Sequence, residues 1–136
     1  KVIELTPNSA KINGTVPAGR VFVDGYGVGD VGSVVLRDRK HLAEDGMIVV
    51  VVSMSGEDGS VVSGPDIITR GFVYVKESEG LMEELRKVAV TALENCQRDS
   101  LTDWAAIKSE IKNSMSNFLY KKTKRNPMIL PVIMEV

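Results

Sequence analysis

Met47-Ile48-Val49-Val50-Val51-Val52 is an unbroken apolar run, rich in β-branched side chains and flanked by turn residues. Branching at Cβ stiffens χ1 and favours an extended backbone, and apolar residues without alternation suit a strand covered on both faces. Such a strand is not stable alone: it needs neighbours in a sheet and a layer laid over it. The rest of the chain must supply both.

The turn residues Ser55-Gly56-Glu57-Asp58-Gly59-Ser60 follow, and the next strand is expected over Arg70-Gly71-Phe72-Val73-Tyr74-Val75. Gly64-Pro65-Asp66 reads as a turn leading into it, with Asp66 in an Asx-type turn and Arg70 paired with Asp66 or with an external phosphate. Two helices come next. Leu81, Leu85, Val88, Ala89, Ala92, Leu93 and Cys96 recur at three- and four-residue spacing, with Ser78 as the expected N-cap. Trp104, Ile107, Ile111, Met115, Phe118 and Leu119 form a second stripe, with Thr102 as N-cap and Asp103 near the positive end of the helix dipole. Last comes Met128-Ile129-Leu130-Pro131-Val132-Ile133-Met134, a strand whose Pro131 lacks a ladder donor and so belongs at an edge or a bulge. The order β-β-α-α-β defines an α+β domain over 42–136, a small three-stranded sheet with both helices on one face.

The first third has a different texture. Val2-Ile3-Glu4-Leu5, Ala10-Lys11-Ile12 and Arg20-Val21-Phe22-Val23 are short strand candidates separated by Pro7-Asn8-Ser9, Asn13-Gly14 and Pro17-Ala18-Gly19. Four glycines between positions 25 and 32 then disfavour any regular element. This is hairpin material with no helix to cover it. We expect residues 1 to about 30 to depend on a partner for their order. The opening Lys1-Val2-Ile3-Glu4-Leu5 enters in mid-strand pattern without Met, as expected of a piece cut from a longer chain.

A length of 136 residues allows one domain with a short extra segment, and 43% hydrophobic with 26% charged residues is the balance of a soluble globular chain. The net charge of −1 gives no global basis for nucleic-acid binding, which would have to come from a local patch. A single cysteine forbids an intrachain disulfide, which fits a reducing cytoplasm. No apolar run approaches the roughly 20 residues that span a bilayer, so no membrane partner is expected.

Catalytic chemistry finds little to work with. His41 and Cys96 are the only histidine and cysteine, too few for a triad or a usual zinc site. His41 reads as a surface or locally bonded side chain, and Cys96 as a buried inert thiol on the apolar helix face. Asp24-Gly25-Tyr26-Gly27-Val28-Gly29-Asp30 lacks the Lys-Ser/Thr ending of a phosphate loop and is not followed by a helix pattern. Asp24 and Asp30 can instead offer oxygens to a hard cation, or simply shape a turn. Lys121-Lys122-Thr123-Lys124-Arg125 is the densest basic run. Cations suit a helix C-terminus, but four in five exceed that need, and backbone-directed RNA contact is a second reading, with Arg70 as a further phosphate partner. Tyr120 stands beside the run as a candidate stacking surface, whereas Phe118 belongs to the core stripe.

Four strings carry a family resemblance: Val21-Phe-Val-Asp-Gly-Tyr-Gly-Val-Gly-Asp-Val-Gly32, Val35-Leu-Arg-Asp-Arg39, Ser63-Gly-Pro-Asp-Ile-Ile-Thr-Arg-Gly-Phe-Val-Tyr74, and the run from Lys122 to Val136. Together they closely resemble the C-terminal portion of bacterial ribonuclease J, over essentially the whole chain. The resemblance implies a parent with a metallo-β-lactamase domain interrupted by a β-CASP insertion. That parent is a hydrolase with endonuclease and 5′-to-3′ exonuclease activity in mRNA decay and rRNA maturation. It holds two catalytic zinc or manganese ions. Residues 1–27 would be the last strands of the metallo-β-lactamase domain, 28–41 a linker and 42–136 the C-terminal domain. The family's metal motifs match nothing here, so the fragment is expected to bind no cofactor and to be non-catalytic. Asp24 resembles a structural calcium ligand whose companion ligands lie outside this stretch. The resemblance also implies homo-oligomerisation into a dimer or tetramer, RNA and other RNA-degradation proteins as partners of the parent, and a cytoplasmic location.

Overall fold

The computed structural model describes residues 1–29, 31–72 and 79–136. The chain divides into two compact units, 1–36 and 37–136.

The first unit contains two antiparallel ladders. Strand β1 (Ile3–Thr6) pairs with β2 (Ser9–Ile12), from Ile3 opposite Ile12 to Thr6 opposite Ser9. The two-residue turn is braced by a Thr6–Ser9 hydroxyl pair at 2.7 Å. Strand β3 (Val23–Asp24) pairs with β4 (Gly27–Val28) across Gly25-Tyr26, where Gly25 takes a positive φ that glycine tolerates. The strand expected from Arg20 forms only at Val23. Ile3, Leu5, Ile12, Val23 and Val28 are each more than 60% exposed, so these ladders bury almost none of their apolar surface.

Helix α1 (Ser33–Asp45) overlaps the stretch expected to be a linker. Its apolar residues Val34, Val35 and Leu36 are adjacent rather than spaced along a face, and charged residues follow at 37–40, so no stripe announces a helix. None of its residues is buried, and a Lys40–Glu44 pair four residues apart supports its surface. Gly46, at φ +78°, ends it.

The second unit is built on a three-stranded sheet in the order β6-β5-β7. Strand β5 (Met47–Met54) lies in the centre, antiparallel to β6 (Val61–Arg70) and parallel to β7 (Met128–Glu135). Helices α2 (Glu79–Arg98) and α3 (Trp104–Thr123) connect β6 to β7 and cover one face. This is the expected α+β arrangement, and Pro131 sits on an edge strand as anticipated.

Three expectations change in detail. First, β5 is fully buried on one face only: Ile48, Val50, Val52 and Met54 enter the core, while Met47, Val49, Val51 and Ser53 are half-buried. Second, β6 occupies 61–70 and ends where the expected strand was to begin; positions 73–75 lie outside the described residues. The Gly64-Pro65 pair looked like a turn but is carried inside an edge strand through a cis peptide. Gly64 has a positive φ, and a Cβ there would meet the Val51 carbonyl oxygen at 2.7 Å. Third, α3 is capped by Asp103 rather than Thr102, with its carboxylate accepting from the Ala105 amide at 3.1 Å. Ser78, the cap expected for α2, lies outside the described residues.

The helical stripes behave as the spacing requires. Leu85, Ala89 and Leu93 from α2, and Ile107, Ile111, Met115 and Leu119 from α3, pack onto Ile48, Val50 and Ile129 of the sheet. Trp104 and Phe118 lie at the margin, partly buried.

Candidate functional site

A sheet covered on one face leaves its other face to be explained. Register partners share a face, so Val49 lies between Ile68 and Leu130, Val51 between Asp66 and Val132, and Ser53 beside Met134. Ile68, Leu130, Val132 and Met134 are each more than 40% exposed. This outer face is therefore an apolar stripe running across three strands. Its signal in the sequence is β7, which is apolar at both parities although it is an edge strand.

The basic run does not act as one patch. Arg125 turns inward: its guanidinium donates to the Phe72 and Glu44 carbonyls, pairs with Asp45 at 3.5 Å and lies over the Phe72 ring. Around it, His41 donates to the Asn126 carbonyl, the Asn126 amide reaches Asp45, and the Met128 amide donates to Gly46. The end of α1 is thus clasped to the α3–β7 connection through polar contacts. Lys122 pairs with Glu84 at 2.8 Å and lies over Phe118. Lys124 takes the left-handed C-cap of α3, with its ammonium over Tyr120. Lys121 stays exposed in the last turn of the helix. The four cations of the run thus sit in four different environments.

Arg70 does not pair with Asp66. It donates to the Thr69 carbonyl, while Asp66 faces Arg86 of α2 at 4.0 Å. Asp66 and Arg70 both belong to β6, whereas Arg86 reaches Asp66 from another element, a partner that local sequence cannot reveal.

Asp24 sits in β3, exposed, opposite Gly27. Asp30, its companion in the glycine loop, lies outside the described residues. Among the described residues no three His, Cys, Asp or Glu side chains gather closely enough to hold a metal ion. Cys96 is buried on α2, and its thiol is held above its ordinary pKa by burial first and then by the Glu110 and Asp99 charges. A raised pKa leaves less of the thiolate, the nucleophilic form.

Comparison with known proteins agrees with the architecture. The family described as "Ribonuclease J C-terminal domain" matches residues 34–136. The chain is 44% identical over 135 residues to "Ribonuclease J2" of Bacillus subtilis (strain 168), covering 99% of this chain and 24% of that protein. It is 43% identical over 123 residues to "Ribonuclease J 2" of Streptococcus pyogenes serotype M3, covering 90% of this chain and 22% of the relative. It is 40% identical over 135 residues to "Ribonuclease J 2" of Staphylococcus aureus (strain NCTC 8325 / PS 47), with 99% and 24% covered. The chain spans about a quarter of the length of these relatives. The sheet, its two covering helices and the strand at its parallel edge belong to the ribonuclease J family, as its C-terminal domain.

Proposed function

We propose that this chain is the assembly end of a ribonuclease J enzyme and joins copies of that enzyme through the outer face of its sheet. The observation that carries the reading is the exposed stripe of Ile68, Leu130, Val132 and Met134 beside half-buried Val49 and Val51. Side chains of this kind in a contiguous patch are costly in water and are the usual material of an interface core. A second copy presenting the same stripe is the simplest self-complementary cover.

The enzyme it serves is a cytoplasmic hydrolase that cuts RNA internally and from the 5′ end, in mRNA decay and rRNA maturation, with two zinc or manganese ions as catalysts. Those metals and the cleavage chemistry reside outside this chain. Residues 1–27 complete the metallo-β-lactamase domain of the same enzyme, and their exposed apolar side chains pack against the remainder of it. Asp24 contributes there to a calcium site finished by residues of that remainder. RNA and other RNA-degradation proteins are partners of the whole enzyme.

Sedimentation velocity tests the assembly reading. The chain is expected to form dimers or tetramers at micromolar concentration, and Val132→Lys to shift it to monomer. A strict monomer at every concentration, or an oligomer indifferent to Val132→Lys, refutes it.

The alternative, an RNA-binding module using Lys121, Lys122, Lys124, Arg125 and Arg70, is weaker. Arg125 and Lys122 are already engaged within the domain, which leaves Lys121 and Lys124 beside Tyr120 as its exposed core. Replacing Lys121 and Lys124 would lower the salt slope of single-strand binding by about 0.7 for each phosphate that they neutralise. An unchanged affinity removes this alternative.

A further inference from the structure

At the end of α3 away from the basic run, the sheet opens into a cleft of about 820 Å³. The parallel strands β5 and β7 both end here, at Met54 and Glu135. The 55–60 loop together with Gln97, Ser100, Leu101, Thr102 and Trp104 forms much of the remaining wall. Its buried lining is Met54 and Ile107; Leu101 and Trp104 add exposed and half-exposed apolar surface.

The charge around this depression is one-sided. Glu57, Asp58 and Glu135 line it, and among the described residues no Lys, Arg or His does. None of the three carboxylates has an ion-pair partner among the described residues. Asp58 is held below the usual carboxylate range by hydrogen bonds from Ser60, so it is fully charged at neutral pH. An aromatic ring and a leucine framed by anions complement a side chain that is greasy along its stem and cationic at its tip. Nucleic acid is repelled by the same charges. A bare metal ion would leave the apolar lining unused, and no metal-holding cluster exists among the described residues.

We propose that this cleft docks a short cationic segment of a partner protein, one apolar side chain seated on Trp104 and Leu101 while flanking Lys or Arg residues face Glu57, Asp58 and Glu135. The site is separate from the outer sheet face, so it stands or falls independently of self-assembly.

Trp104 is the chain's sole tryptophan, so its emission reports on the cleft directly. The probe is an acetylated, amidated peptide alternating lysine and leucine, titrated into the full chain. A saturable change in emission is expected. The affinity should fall about tenfold in the Glu57→Gln/Glu135→Gln variant, which alters only exposed side chains. It should also fall on raising NaCl from about 0.05 to about 0.5 M. Leu101→Ser, which keeps the charges, should weaken binding as well. In amide NMR spectra the peptide should perturb the 54–60 and 97–104 segments and leave the amides of Leu130 and Val132 unmoved. The proposal is overturned if emission does not saturate, if a glutamate–leucine peptide performs equally, or if the double variant binds as tightly. Spermidine or magnesium alone giving the same response would also overturn it, by showing a site for bare cations.

Discussion

Gly46 carries a constraint that no other residue type meets. It leaves α1 at φ +78°, and a Cβ there would stand 2.5 Å from both the Gly71 carbonyl oxygen and the Phe72 amide nitrogen. Gly46→Ala is expected to lower stability by about 2–4 kcal/mol, combining left-handed strain with overpacking. Urea unfolding at an unchanged m value would measure it. Cys96 yields a chemical expectation. Burial, then the charges of Glu110 and Asp99, raises its pKa, so less thiolate is present at any given pH than in a free cysteine. Iodoacetamide at pH 8 should alkylate it at least about tenfold more slowly than an unstructured cysteine peptide, with the rate recovering as pH rises or in urea. Equal rates would show the thiol to be open. Sequence reached Cys96 correctly because helical spacing fixes which face a residue occupies. It could not reach Arg125, whose partners Glu44, Asp45 and Phe72 come from elements remote along the chain.

Elements with a strong period were legible. Both long helices follow from apolar residues three and four apart, and their buried sets match those stripes. Caps are subtler, since Thr102 and Asp103 are adjacent and both competent. The hydrogen bond from Ala105 selects Asp103. Asp103→Ala should cost about 1 kcal/mol, whereas Thr102→Ala should stay within about 0.5 kcal/mol. Thermal unfolding of the two variants checks this, and equal losses would contradict the assignment. Helix α1 was illegible because it buries no stripe, its hold being a polar clasp at its final turn. Strand β6 was hidden because Gly64-Pro65 has the composition of a turn, while an edge strand tolerates a missing donor on its open side.

For the whole molecule, the two units differ in how much apolar surface they remove from water. The 37–136 unit holds the buried core, whereas the ladders in 1–28 leave their valines, leucine and isoleucines exposed. Amides of β1 to β4 should therefore exchange with solvent orders of magnitude faster than those of α2 and α3. Equal protection would mean that the hairpins are stabilised by something other than burial. The α+β layout was readable because each element announced its own covered face. The open sheet face was less so, because an apolar residue on a strand does not say which side remains bare until the register is known. The sheet's connectivity also sets an order of events during synthesis. Met47 must wait for Met128 before the parallel ladder can close, and α2 and α3 emerge from the ribosome ahead of that strand. Until residues 128–135 emerge, the nascent domain holds two greasy helices against two of the sheet's three strands. That is the interval in which a chaperone, or a premature neighbour, would find it.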